Sequence, residues 1–357
     1  MDLTSPVHRR TLLAGALAGG LTFGWDLAPA QARPRRRVPR TLHDVGPVGT
    51  VRRPGFAVHH VGITWSGPAS PGRLRLHDAH GWRDGPRVSP TDVGADPPHR
   101  HASLVYVGAY DAYELVPAAG VSEVEVHAIN TVDGPGSRQA PDRMRQRLGC
   151  RYLSRAGWGA DESLRFEPDG TEIFPPAYFD VQTLTVHHTV TLNRDPDPAA
   201  TVRAIYFFQA VTQTWGDLGY HLVIDEAGLV YEGRWSGTDG TPVFGPLPAG
   251  QDLSMVNAAH VAGFNAGNVG VALLGDLTAT GPTPAARRSL VTVLAVLARL
   301  TGLDPLGRTE YVNPISGATR TVPTVAGHRD WAATECPGNM FSALLPALRA
   351  DVALIMT

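Results

Sequence analysis

The sequence predicts a mixed α/β domain, in which helices flank a β-sheet, preceded by a small all-β, sandwich-like domain. Three observations carry this. Residues 41–130 hold short alternating runs, "FAVHHVGITW", "GRLRLHDA", "ASLVYVGAYDAYELV" and "VSEVEVHAIN", separated by Gly, Pro and Asp clusters. Residues 150–357 instead alternate β-branched runs with segments of helical period. Between the two lies "TVDGPGSRQAPDRMRQRLG" (131–149), polar and without apolar periodicity, which reads as a linker.

The chain opens with "HRRTLLAGALAGGLTFGWDLAPAQA": paired Arg9 and Arg10, a short apolar run, and Ala30-Gln31-Ala32 in the small-x-small form of a cleavage site. Residues 1–32 read as an export signal, and the twin arginine gives it a Tat-type character. The apolar stretch is too short and Gly-rich for a membrane span, so none is expected once the signal is removed. Residues 33–40, "RPRRRVPR", form an Arg-rich leader.

In the second half, "QTLTVHHTVT" (182–191) reads as a strand. "DPAATVRAIYFFQAVTQTW" reads as a helix with Asp197 as N-cap and Pro198 in its first turn. Val202, Ile205, Phe208, Thr212 and Trp215 fall at helical spacing and predict one buried stripe. "GYHLVIDEAGLVYEGR" reads as a hairpin, and "NVGVALLG" as a buried central strand. "TPAARRSLVTVLAVLARLTG" reads as a helix capped by Thr283, opened by Pro284 and stopped by Gly302.

Composition excludes several functions. The chain has 43% hydrophobic and 18% charged residues, as a folded protein does, and a net charge of −2, which argues against nucleic-acid binding. All 31 basic residues are arginine. Schiff-base lysines, Ser–Lys dyads and lysine-bearing phosphate loops are therefore excluded.

Cys336, the second of two cysteines, follows His328 by eight residues in a Gly-, Thr- and Pro-bearing loop, "TVAGHRDWAATECPGN". About 140 residues earlier a strand ends in His187 and His188, of which only one can face a given side. Two imidazoles and one thiolate with an open position make a catalytic Zn²⁺ site. "VHHVG" (58–62) mimics the ligand strand but has no cysteine after it.

These residues carry a resemblance. "LSRAGWGADESLR", "TVHHTV", "WGDLGYHLVIDEAGLVYEGR", "AAHVAGFNAGNVGVALLGD" and "AGHRDWAATECPG" occur in the order seen in peptidoglycan recognition proteins and zinc-dependent N-acetylmuramoyl-L-alanine amidases. The resemblance covers about residues 150–350. It implies that fold, zinc held by His187, His328 and Cys336, a catalytic Tyr220, and Thr334 as a neutral donor near the reacting carbonyl. It leaves His188 without a ligand role. Candidates for substrate contact are His188, Arg234, Trp235, His260 and Asn265. The expected partner is bacterial peptidoglycan, and the expected state a secreted, cell-wall-associated monomer. The expected reaction is hydrolysis of the amide between the lactyl group of N-acetylmuramic acid and L-alanine. The alternative is a recognition module that binds wall without cutting it, with Cys150 and Cys336 joined in a disulfide. A weaker alternative places the function in the first domain, as a carbohydrate-binding or adhesion module.

Overall fold

Alternation in the N-terminal third builds two facing antiparallel sheets. A computed structural model describes residues 37–90, 100–138, 145–147, 150–238, 241–245 and 253–357. The expected signal peptide, residues 33–36 of the Arg-rich leader, and residues 139–144 and 148–149 of the expected linker lie outside the described residues. The first sheet has the order β1-β7-β2-β5 (β1 Leu42–Gly46, β2 Val58–Ser66, β5 Arg100–Tyr110, β7 Ser122–Asn130). The second has the order β4-β3-β6 (β3 Gly72–Asp78, β4 Gly81–Asp84, β6 Ala112–Pro117). Val61, Ile63 and Trp65 of β2 meet Leu74 and Leu76 of β3 and Tyr113 and Leu115 of β6 in the core between them. The run 102–116 is two strands, not one: the chain leaves the first sheet after Tyr110 and enters the second at Ala112.

The C-terminal part is a seven-stranded mixed sheet of order β8-β9-β12-β11-β13-β10-β14. Its strands are β8 Arg145–Arg147, β9 Cys150–Leu153, β10 Thr183–His188, β11 Leu222–Ile224, β12 Val230–Glu232, β13 Asn268–Leu273 and β14 Val325–Gly327. The expected hairpin is the antiparallel pair β11/β12, while β10 runs parallel to both β13 and β14. One face packs against helices α3 (Pro284–Thr301) and α4 (Asn339–Met356), with Leu184, Val186, Val271 and Leu273 meeting Leu290, Leu294, Phe341 and Leu345. Helix α3 ends as expected: the Thr283 hydroxyl accepts the Ala286 N–H at 3.1 Å, and Gly302 is left-handed. Helix α4 is apolar and long enough to cross a membrane, and it buries Phe341, Leu345, Leu348 and Val352 against this core.

The other face carries α2 (Pro198–Phe207), which follows the one-turn helix α1 (Arg155–Trp158) in the chain and runs on into a π-turn over Phe208–Thr212. Asp197 caps α2, accepting the Ala200 N–H at 3.1 Å. The expected single stripe is not what forms: every residue from Ala199 to Phe207 is buried. The reason is tertiary. Helix α2 is covered below by Val223, Tyr231 and Ala272 of the large sheet and above by Ala102, Leu104 and Ile129 of the first sandwich sheet. A Cβ on Gly62 of β2 would come within 2.7 Å of the Phe208 ring, so the sandwich approaches as closely as glycine allows. At the start of the expected linker, the Thr131 carbonyl accepts two bonds from the Arg203 guanidinium, 3.0 and 3.1 Å, which fastens the sandwich to α2.

Candidate metal centre

Strand alternation sends Leu184, Val186 and His188 toward α3 and α4, and Thr183, Thr185 and His187 toward the opposite face. His187 stands at the C-terminal end of β10. His328 directly follows the C-terminal end of the parallel neighbour β14, as the first residue of a 3-10 turn, His328–Asp330. Parallel pairing therefore brings both imidazoles to one end of the sheet, the usual place for ligand sites in such folds. The ring centroids of His187 and His328 are 4.7 Å apart. Trp331 pins the turn to β10 by donating its indole N–H to Thr185 Oγ1 at 2.8 Å.

The loop before α4 delivers Cys336. Arg329, next to His328, donates to the carbonyls of Thr334 (3.1 Å) and Glu335 (2.6 Å) and to Asn339 Oδ1 (2.6 Å), bracing the cysteine loop against the histidine turn. Cys336 Sγ lies 3.6 Å from His187 Nδ1 and accepts the His188 N–H at 3.4 Å. Among the described residues Cys336 is in no disulfide. The side chain of Cys150 lies outside the described residues.

The residues fit zinc. One donor atom from each of His187, His328 and Cys336 lies within 4.8 Å of the others, and all three residues are buried. Zn–N and Zn–S bonds of about 2.0 and 2.3 Å in a tetrahedron separate nitrogen from sulfur by about 3.5 Å, close to the 3.6 Å between Cys336 Sγ and His187 Nδ1. Burial, then the neighbouring His328 and His260, hold His187 well below the usual imidazole pKa. It is therefore neutral, as a metal ligand must be.

The remaining site residues fall in different places. Tyr220 sits two residues before β11, buried, with its ring 5.3 Å from that of His187. Thr334 uses its hydroxyl oxygen to accept the Cys336 N–H at 2.9 Å, a local turn that shapes the ligand loop. Asn265 lines a pocket of about 250 Å³ with Phe174, Trp215 and Ala259, and its Oδ1 accepts the His260 N–H at 2.8 Å. Trp235 is half-buried, with the Arg165 guanidinium 4.3 Å above its ring.

Three substrate-contact expectations need correcting. His188 is buried on the α3/α4 side, where its Nδ1 accepts the Leu277 N–H at 3.1 Å. Arg234 is fully buried, bonded to Asp217 at 2.8 Å and to the carbonyls of Phe174 and Asn257. His260 lies behind His187, with Nδ1 3.0 Å from His187 Nε2 and Nε2 2.9 Å from the Asn268 carbonyl oxygen. Their polar atoms are held by protein. The sequence signal that distinguished His260 from a substrate contact was weak: only its nearness to the buried strand "NVGVALLG" marked it as interior.

His221 stands one ring further back, 5.6 Å from His260. Its Nδ1 accepts the Gly270 N–H at 2.9 Å and its Nε2–H donates to the Val256 carbonyl at 2.7 Å, a pairing only neutral imidazole can make. Burial pushes its pKa down to about 4; burial likewise pushes His60, in β2, down to about 3. Both lie below the unfolded value near 6.5, so the unfolded chain takes up protons first as pH falls. Stability is therefore full above about pH 6.5 and declines toward pH 4, with roughly 3 kcal/mol lost from His221 alone. Urea midpoints measured from pH 7 down to pH 4.5 are expected to fall steadily; a flat profile would contradict neutral burial.

Comparison with known proteins finds one family and several relatives. Residues 177–339 match the family model described as N-acetylmuramoyl-L-alanine amidase. The human N-acetylmuramoyl-L-alanine amidase is 32% identical over 210 residues, covering 56% of this chain and 28% of that protein. Peptidoglycan-recognition protein LB of Drosophila melanogaster is 26% identical over 198 residues, covering 54% of this chain and 67% of that protein. The chain spans less than a third of the length of the mammalian amidases it matches. Among solved structures, Drosophila PGRP-LB covers 54% of this chain and 92% of its own at 24% identity and a TM-score of 0.39. The amidase LysC from Clostridium intestinale URNW covers 50% and 91% at 22% identity and a TM-score of 0.34.

Proposed function

Residues 177–339 form a domain of the N-acetylmuramoyl-L-alanine amidase family, and from that premise we propose that the chain is an exported, zinc-dependent amidase. Its substrate is peptidoglycan, cut at the amide between the lactyl group of N-acetylmuramic acid and L-alanine. The observation that carries the reading is the buried convergence of His187, His328 and Cys336. Zinc bound there supplies a Lewis acid and lowers the pKa of water to about 7.

The chain's own residues do the rest. His187 and His328 come from adjacent parallel strand ends, and Cys336 from a loop that Arg329 and Thr334 hold in shape, so the donors are preorganised. The Tyr220 phenol, beside His187, donates a hydrogen bond to the oxygen on which negative charge develops as the amide is attacked. The 250 Å³ pocket lined by Phe174, Trp215, Ala259 and Asn265 is the seat we assign to the stem peptide. Export by the N-terminal twin-arginine segment puts the enzyme where its substrate is.

Tyr220→Phe tests this reading. It is expected to keep zinc content and cosedimentation with peptidoglycan while lowering release of L-alanine-headed peptides roughly 10- to 1000-fold, the range for one oxyanion donor. A variant that releases peptides at the wild-type rate would show that Tyr220 only packs.

A further inference from the structure

The metal-binding nitrogen of His187 is chosen by residues behind it. The Asn268 carbonyl oxygen can only accept, so His260 Nε2, 2.9 Å away, carries the proton. In that tautomer His260 Nδ1 is a bare lone pair, and it lies 3.0 Å from His187 Nε2. His187 must then carry its own proton on Nε2 and donate it backward, which leaves Nδ1, 3.6 Å from Cys336 Sγ, as the lone pair facing the thiol. A single backbone carbonyl sets the tautomers of two imidazoles in series.

The relay is clamped. The His260 ring stands edge-on to His187, centroids 5.0 Å apart at 83°. Its backbone N–H is tied to Asn265. The ring lies over the Cα of Gly270, where a Cβ would come within 2.6 Å of it. His221 closes the rear, itself fixed by the Gly270 N–H and the Val256 carbonyl. A ring so enclosed cannot exchange its two nitrogens without clashing.

We propose that His260 is a positioning residue: through the Asn268 carbonyl it holds His187 as the Nε2–H tautomer and directs the Nδ1 lone pair to the metal. This rests on the reading of His187, His328 and Cys336 as a zinc centre. Partners that orient a ligating histidine in this way typically contribute 10–100-fold in metal affinity.

The test combines zinc affinity, measured by chelator competition on the full chain, with imidazole nitrogen NMR. Wild type is expected to show the His187 proton on Nε2. His260→Leu, which removes the acceptor but keeps an apolar filling, is expected to bind zinc 10–100-fold more weakly. His260→Gln can accept from His187 and donate to Asn268, and is expected to recover to within about tenfold of wild type. A His187 proton found on Nδ1 in wild type overturns the proposal, whether or not either variant folds. So does a folded His260→Leu chain that binds zinc as wild type does. Wild type that binds no zinc overturns instead the metal-centre reading, and the tautomer measurement still decides the relay.

Discussion

Cys336→Ser is expected to lose zinc and at least about 100-fold in amidase turnover while keeping its fold. Replacing an outer partner of a metal ligand already costs 10–100-fold, and here the ligand atom itself is exchanged for a poorer one. The fold survives for a local reason. Sγ contacts the His188 N–H and carbonyl, so a serine hydroxyl meets a donor and an acceptor in the same place. An unsatisfied buried hydroxyl would cost about 1–3 kcal/mol; a satisfied one stays at the low end. The core between the sheet and helices α3 and α4 is untouched. The variant is therefore expected to melt near wild type, to bind peptidoglycan still, and to contain no zinc. Retained zinc and turnover would remove Cys336 from the site.

Asp217→Asn is expected to destabilise the fold strongly, away from the metal centre. The Asp217 side chain is fully buried between Arg155 and Arg234, 2.8 Å from each, and also accepts the N–H groups of Leu218 and Trp235. Burial opposes its charge, but the two guanidiniums outweigh that and hold its pKa below the usual carboxylate value. Arg155 keeps a second acid, Glu162; Arg234 has backbone carbonyls and Asp217. Removing the acid leaves Arg234 as a buried, uncompensated cation, at a cost of about 3–5 kcal/mol. Thermal melting is expected to drop by roughly 10 °C. A loss below about 1 kcal/mol, the range of exposed pairs, would contradict the account of this network.

The same residues show what a sequence can and cannot disclose. An imidazole and a thiol in a Gly/Pro loop, with histidines ending a strand, suggested a metal site; it was the family resemblance that singled out His187, His328 and Cys336, whose donor atoms the fold brings within 4.8 Å of one another. The caps of α2 and α3 were legible because Asp197, Thr283 and Gly302 act within a turn of their own position. Arg234 was misread because its partner, Asp217, is reached only after the chain folds back, and "YEGR" followed by Trp235 looks equally like a substrate edge. The burial of α2 on all sides was hidden for a related reason. Its second face is covered by strands about 100 residues earlier, and a moment along the helix carries no record of them. His260 was placed on the substrate side because position in a motif does not say which way a ring points; the Gly270 cradle and the Asn268 carbonyl decide that. Helix α4 escaped because Pro346 interrupts an apolar run with no clear stripe.

Elemental analysis of the purified chain, paired with release of L-alanine-headed peptides from peptidoglycan, decides whether His187, His328 and Cys336 hold a working zinc. About one zinc per chain is expected, with loss of both zinc and peptide release on chelation and recovery of both when zinc is returned. A chain that contains no zinc, or that releases peptides at full rate in excess chelator, would contradict that expectation.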